Sequence, residues 1–278
     1  MLGAPQTAIA DFQRLHREGC FLLPNPWDVG TAIYLHHLGF QALATTSAGF
    51  AFSRGKPDGS VPRDEMLVHI GEVVAATPLP VNADFLNGFA DRPDEVAANV
   101  GRCLATGVAG LSIEDSTGRT EQPLYEEQLA VDRICAARSA IDDSASQVVL
   151  TARCEAFLVG HPDPLPTVLA RLVAYAEAGA DCLYAPGVSK PDEIAEIVRA
   201  VAPKPVNILV AGFNAHLSLA QLRELGVRRI SVGPGLALAA WGAFLRSARE
   251  MVTEGNFKSL AEAARTAELN DLFSKRPK

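Results

Sequence analysis

Gly110-Leu111-Ser112-Ile113-Glu114-Asp115 is a short, mostly apolar run that ends abruptly in two carboxylates. A strand of that composition is buried on both faces, since a half-exposed strand would alternate polar with apolar residues. Carboxylates at its end then need a partner or a cation, because a buried charge is costly alone. The pattern recurs outward in both directions. Comparable runs lie at 21–23, 42–45 and 80–83 upstream, and at 148–151, 182–184, 206–209 and 229–232 downstream. Successive runs lie roughly 20–40 residues apart, the spacing of repeated βα units.

The segments between them have helical periodicity and helical punctuation. Asp163-Pro164 precedes Val168, Leu169, Leu172 and Val173; Pro191-Asp192 precedes Ile194, Ile197 and Val198. Gly39, Gly107, Gly179 and Gly226 stand just before the next strand, where a left-handed residue ends a helix. Eight units without a linker predict a single closed (β/α)8 barrel spanning residues 1–278, rather than an open doubly wound sheet. Residues 2–17, within an N-terminal segment 1–20, read as a helix closing the barrel floor. Segments 236–252 and 260–273, within 235–278, read as two C-terminal helices, the second beyond what a barrel requires.

Composition narrows the function. The 278 residues are 48% hydrophobic but only 6% aromatic, the profile of a Val, Leu, Ile and Ala core. A net charge of −7 without a basic stretch argues against nucleic-acid binding. No apolar run is long enough to span a membrane, and the N-terminus, with Gln6, Asp11 and Gln13, is unlike a secretory signal. Cys20, Cys103, Cys135, Cys154 and Cys182 form no metal-ligand spacing and read as reduced thiols of a cytoplasmic protein.

Barrel active sites lie at the C-terminal ends of the strands. In order, those ends supply Asn25-Pro26-Trp27-Asp28, Thr46-Ser47-Ala48-Gly49, Asn82-Ala83-Asp84, Glu114-Asp115, Arg153-Cys154-Glu155 and Asn207. Asp84 and Glu114, with Asn82 and Asp115 as further candidates, form an all-oxygen set that suits Mg2+, with Mn2+ as the alternative cation. The competing reading makes these acids helix caps or partners of Arg153. Ser47, Ala48 and Gly49 offer successive N–H groups to a carboxylate or oxyanion, or form an ordinary turn. Arg153 is a fork suited to a substrate carboxylate, or a salt-bridge partner of Glu155 or Glu114, and the two roles can coexist. Lys56, Lys190 and Lys204 stand off the strand ends, which disfavours a Schiff-base aldolase. Gly233-Pro234-Gly235 reads as a plain turn before it reads as a phosphate site.

Taken jointly and in order, Asn25-Pro-Trp-Asp-Val-Gly, Ala44-Thr-Thr-Ser-Ala-Gly-Phe, Asn82-Ala-Asp-Phe-Leu-Asn-Gly-Phe, Ser112-Ile-Glu-Asp and Ala152-Arg-Cys-Glu-Ala resemble the isocitrate lyase / phosphoenolpyruvate mutase superfamily, from about Asn25 to Gly235. The resemblance implies terminal helices exchanged between subunits, in dimers that pair into tetramers. It also implies Mg2+ bound with the oxo and carboxylate oxygens of a small carboxylic acid. On its pattern Asp84 and Glu114 fall on metal positions. Asp58, in Gly55-Lys56-Pro57-Asp58-Gly59, falls on an acidic position near them. Ser47, Ala48 and Gly49 fall on the carboxylate-gripping turn, Arg153 on the substrate arginine, and Asn207 on a polar position facing the substrate. Trp27 is expected to roof the site or pack beneath it.

The departures matter for the reaction. Asn82 replaces the first acid of the usual pair and removes one charge from the metal shell. The candidate lid, 116–124, contains Thr117-Gly-Arg-Thr-Glu-Gln-Pro where the lyase branch carries a catalytic Cys. Strand six ends in Tyr184-Ala-Pro-Gly where the phosphonate branch carries a His. Glu121 or Arg119 of the lid would then serve in proton transfer or charge stabilisation. The expected activity is a Mg2+-dependent cleavage or rearrangement of a C–C or P–C bond in a small α-oxo or α-hydroxy acid, through an enolate. A phosphoenolpyruvate mutase or phosphonopyruvate hydrolase activity is the alternative, and a non-catalytic oxoacid-binding barrel is the rival of another class.

Overall fold

The computed structural model of the chain describes residues 6–275. Its strands are β1 (Phe21–Leu23), β2 (Leu43–Ala44), β3 (Val81–Asp84), β4 (Gly110–Glu114), β5 (Val149–Arg153), β6 (Cys182–Tyr184), β7 (Val206–Leu209) and β8 (Arg229–Ser231). All pair in parallel, in the order β1-β8-β7-β6-β5-β4-β3-β2. Helices α2 (Val29–His37), α3 (Ser47–Ser53), α4 (Arg63–Ala76), α5 (Pro93–Leu104), α6 (Glu127–Asp143), α7 (Pro164–Glu177), α8 (Pro191–Ala200) and α9 (Leu219–Glu224) alternate with them. This is the expected (β/α)8 barrel. The gap between β1 and β2 is bridged at the strand ends. Ala44 donates its N–H to the Pro24 carbonyl (3.1 Å), and Asn25 Nδ2 donates to the Thr45 carbonyl (2.9 Å). Asn25 Oδ1 also accepts from the Val232 and Gly233 N–H groups (3.0 and 2.8 Å), so one side chain ties three strand ends together.

Strand limits depart from the sequence reading where charge meets charge. β3, β4 and β5 extend through Asp84, Glu114 and Arg153 themselves, because Glu114 and Arg153 are register partners of opposite sign on adjacent strands. β2 contracts to Leu43–Ala44 and β8 stops at Ser231. Gly39, Gly107, Gly179 and Gly226 all take positive φ, the left-handed conformation in which a glycine commonly ends a helix.

The floor is α1 (Gln6–Arg17); residues 2–5 of the expected helix lie outside the described residues. Phe12 and Leu15 pack with Phe21, Leu23, Ala44 and Val149 across the lower end of the barrel. Beside them His16 is buried. Its Nδ1 donates to the Phe12 carbonyl (2.7 Å), and its Nε2 accepts from Arg229 Nη1 (3.2 Å), an arrangement only neutral imidazole satisfies. Burial, reinforced by the positive charge of Arg229, lowers its pKa to about 3. His69 of α4, stacked on Phe50 at 3.8 Å, falls to about 4 through burial.

Both folded pKa values lie below the unfolded value, so the stability from neutral imidazole is complete above the unfolded pKa. It is lost as pH falls through that value towards the folded ones. Lowering the pH from 7 to 5 should therefore cost about 2 kcal/mol per histidine. H69F, which keeps the ring on Phe50, should remove the His69 share of that pH slope. Thermal midpoints that respond identically in wild type and variant would refute this.

Past β8 the chain forms α10 (Gly235–Glu254), a 3-10 turn (Lys258–Glu262) and α11 (Thr266–Ser274). The single helix expected over 260–273 is thus two pieces. The Glu250 carboxylate accepts from the Lys258 and Ser259 N–H groups (3.1 and 3.0 Å), which pins the turn. The chain then bends so that Leu269 and Phe273 line a groove with Tyr34 of α2 and Leu38, the residue that ends it. Only Ala237 is buried in α10, while Trp241, Phe244, Leu245 and Met251 lie exposed. No helix among the described residues is long and apolar enough to cross a membrane.

Candidate active site

The strand ends converge on Arg153. Its Nη1 donates to Asp84 Oδ1 at 2.8 Å, its Nε to Glu155 Oε1 at 2.9 Å, and its Nη2 lies 3.3 Å from Glu114 Oε2. Arg153 and Glu155 are two residues apart, so both point into the barrel. The guanidinium also rests over the Tyr184 ring, 4.9 Å from its centroid. Both roles foreseen for Arg153 therefore bear on one place, and its salt-bridge role is directly visible.

Electrostatics make this an acid-rich site held by one cation. Burial pushes Glu114 well above the usual carboxylate range; Arg153 opposes, while Glu155, Asp84 and Asp58 add to the rise. Glu155 is pushed up to about 6, again first by burial and against Arg153. Asp58 sits at the solvent-exposed rim. Partial burial and the neighbouring Asp84 raise its pKa, while the Gly59 N–H (2.9 Å) and Ser47 oppose that. Four carboxylates around one guanidinium leave an excess of negative charge that a cation would relieve.

The donor set fits a hard divalent ion. Asp84 and Glu114 present oxygen ligands at the mouth, and Asn82 lies behind them with a buried Oδ1 that lacks a hydrogen-bond partner. No three His, Cys, Asp or Glu side chains among the described residues form a ready-made metal cage. Oxygen donors of this kind are the chemistry of a hard divalent cation.

Other expected residues are placed differently. Asp115 faces away from the pocket. It accepts from the Glu155 N–H (2.8 Å), Arg171 Nη1 (3.0 Å) and Tyr175 OH (2.7 Å), so it anchors β5 to α7 and is no metal candidate. Ser47, Ala48 and Gly49 form the first turn of α3 rather than an open loop. The Ser47 N–H is given to Asp84 Oδ2 (2.9 Å) and the Gly49 N–H to Thr46 Oγ1 (3.2 Å). Gly49 is required for packing: a Cβ there would lie 2.6 Å from Thr46 Cγ2 and 3.1 Å from Trp27 Cβ. Trp27 lines the outer groove beside α2 and α11, away from the residues around Arg153. Its neighbour Asp28 caps α2.

Asn207 does line the inner cavity, but both ends of its amide are taken, by Arg229 Nε (2.9 Å) and Ser231 Oγ (2.9 Å). In the lid, Ser116 pairs with Leu124, and Arg119 turns outward to Asp91 (2.9 Å). Glu121 is exposed. Gly233 donates its N–H to Asn25, Pro234 is the N-cap of α10 and Gly235 its first residue, so the three form the turn from β8 into the helix. From the sequence Glu155 was named only as a strand-end acid and a salt-bridge partner of Arg153, and Tyr184 and Arg229 had no role in the site. The first two were visible as polar residues at strand ends; for Arg229, at the start of β8, no such signal existed.

The family model for phosphoenolpyruvate phosphomutase matches residues 12–252. This chain belongs to that family. The family lies within the isocitrate lyase / phosphoenolpyruvate mutase superfamily of lyases and mutases. Among its relatives, an uncharacterized protein of Mycobacterium tuberculosis (strain H37Rv) is 39% identical over 227 residues, 80% of this chain and 81% of the relative. The 2-methylisocitrate lyase of Salmonella typhimurium is 30% identical over 274 residues, 90% of this chain and 87% of that enzyme. A crystal structure from Burkholderia cenocepacia J2315, assigned only to a lyase/mutase class, superposes with a TM-score of 0.93 at 48% identity. It covers 98% of this chain and 97% of its own.

Proposed function

We propose that this phosphoenolpyruvate phosphomutase family member cleaves or rearranges a carbon bond beside the carboxylate of a small α-oxo or α-hydroxy acid, by way of an enolate. The observation that carries this reading is Arg153 gathered with Asp84, Glu114 and Glu155 at the ends of adjacent strands. Asp84 and Glu114, backed by Asn82, would hold Mg2+ (or Mn2+), which supplies Lewis-acid polarisation of the substrate oxo group when bound. Arg153 binds and orients the carboxylate with donors now shared among the acids. Ser47 steadies Asp84 through its N–H and Asp58 through its side chain. Residues 116–124 close over the mouth and exclude water. Asp58, at the rim with its raised pKa, is the group placed to take or return a proton.

The test is a Mg2+-dependent screen of oxaloacetate, branched malates, phosphonopyruvate and isocitrate, with oxalate as a mimic of the pyruvate enolate. Metal-dependent oxalate inhibition with turnover of one acid supports the proposal; no oxalate binding with Mg2+ present sinks it. Phosphonate chemistry is the second reading. The chloroplastic carboxyvinyl-carboxyphosphonate phosphorylmutase of Arabidopsis thaliana is 32% identical over 247 residues. It ranks lower because Arg119, the cation of the lid, is committed to Asp91. Oxalate binding without any turnover would favour the non-catalytic barrel.

Glu121, exposed and without a place in the Arg153 cluster, is dispensable on this geometry. E121Q should keep turnover within about twofold of wild type, since surface substitutions seldom matter; a loss of tenfold or more would restore it to the mechanism.

The protein also acts, on this proposal, as a cytoplasmic homo-oligomer, a dimer of dimers. The exposed Trp241, Phe244, Leu245 and Met251 of α10 form an apolar face that a second copy would cover. Sedimentation should report a dimer or larger, and W241E/F244E should shift it towards monomer. A monomeric wild type would end this part of the proposal.

A further inference from the structure

Arg229 is a fully buried guanidinium with no carboxylate among its hydrogen-bond partners. A charge kept in that state is costly and calls for a reason. Its position supplies one. Glu114, Arg153, Tyr184, Asn207 and Arg229 are successive register partners across β4, β5, β6, β7 and β8. Register partners in a sheet share a face, and the strands of such a barrel tilt by about 36°. A row running straight across them therefore descends as it circles the barrel, from the mouth at Glu114 to the floor at Arg229.

The row is joined by side chains as well as by register. His16 of α1 accepts from Arg229 (3.2 Å), and Arg229 donates to Asn207 (2.9 Å). Asn207 donates to Ser231 Oγ (2.9 Å), and Ser231 is the hydrogen-bond partner of the Tyr184 hydroxyl. The Tyr184 ring then lies beneath the Arg153 guanidinium at 4.9 Å. Arg153, Tyr184, Asn207, Arg229 and Ser231 border one cavity of about 40 Å³ on the barrel axis. With room for little more than a water, no side chain can swing into it and replace a broken link.

We propose that Arg229, Asn207 and Ser231 are positioning residues: they fix Tyr184 by its hydroxyl, and Tyr184 sets the seat of Arg153 at the mouth. The floor helix and the site are thus mechanically one unit. The acids around Arg153 pull it towards the mouth from three sides, whereas Tyr184 supports it through its π face. A ring free to tilt would leave Arg153 attached but misaimed. The consequence for function rests on the reading that Arg153 grips the substrate carboxylate.

The test uses the intact protein with S231A, Y184F and the two combined, and with S231T as a control. The first two each remove only a hydroxyl, so the fold should survive. The first readout is the Arg153 Nε–H resonance in protein carrying 15N-arginine. Its exchange with solvent should rise about tenfold in S231A and equally in Y184F, and the double variant should be no worse than either, because both cut one chain. The Arg171 Nε–H, in the separate pair with Asp115, should not move. S231T, which restores a hydroxyl, should recover the wild-type signal.

The second readout is oxalate affinity in the presence of Mg2+, expected to weaken about tenfold in S231A at a temperature well below its thermal midpoint, which the orphaned Asn207 donor lowers by only a few degrees. Unchanged Arg153 exchange in S231A and Y184F, or effects that simply add, would overturn the proposal. Should the wild type bind no oxalate, the proposed function fails, while the resonance of Arg153 still decides the positioning role.

Discussion

R153M is expected to lose at least 10²–10³-fold in turnover, the scale seen when one preorganised charge-stabilising donor is removed from an active site. The substitution keeps an unbranched apolar stem but removes the guanidinium and every donor with it. Asp84, Glu114 and Glu155 would then face one another with no cation among them. Removing one member of a buried ion cluster typically costs about 3–5 kcal/mol. Part of that loss should be recoverable in a diagnostic way. With the guanidinium gone, a divalent ion becomes the available counter-charge, so millimolar Mg2+ should raise the thermal midpoint of R153M more than that of wild type. R153K restores charge but not the fork, and should recover stability before it recovers activity. Equal Mg2+ responses in R153M and wild type would show that the acids do not form a cation site.

D115A is the second large effect, and it falls on stability. Asp115 is 2% exposed and is the carboxylate partner of Arg171. It also holds the Glu155 N–H and the Tyr175 hydroxyl. Truncating it strands a buried guanidinium, at about 3–5 kcal/mol. For a domain of this size each kcal/mol moves the melting temperature by about 2–4 °C, so a drop of roughly 10 °C is expected. D115N, which keeps an acceptor oxygen, should lose less. A D115A protein that melts with wild type would mean that Asp115 is not the strut between β5 and α7.

Much of the barrel was legible in the chain itself. Eight buried runs at βα spacing, with a glycine releasing each of several helices, leave few architectures open, and the strands fall within a residue or two of the runs. Asp84, Glu114 and Arg153 were legible as neighbours at the barrel mouth because polar groups that close an apolar strand of such a barrel lie at that end. The limits of that logic show at Asp115. It adjoins Glu114 in sequence, yet side chains alternate across a strand, so one faces the pocket and the other the helix layer. Adjacent acids thus have opposite purposes, and only the register reveals which is which.

Periodicity and strand-end chemistry, both local properties, therefore determined the fold and the acid-and-arginine identity of the mouth. What the tertiary structure alone decided is which partner each polar group keeps. It ties Asn207 to Arg229 and Ser231, sends Trp27 to an outer groove, makes Gly49 a packing contact, and turns Arg119 away to Asp91. The physical reason is that these pairings join residues far apart in the chain, set by strand tilt and helix docking. No short stretch of sequence carries that information.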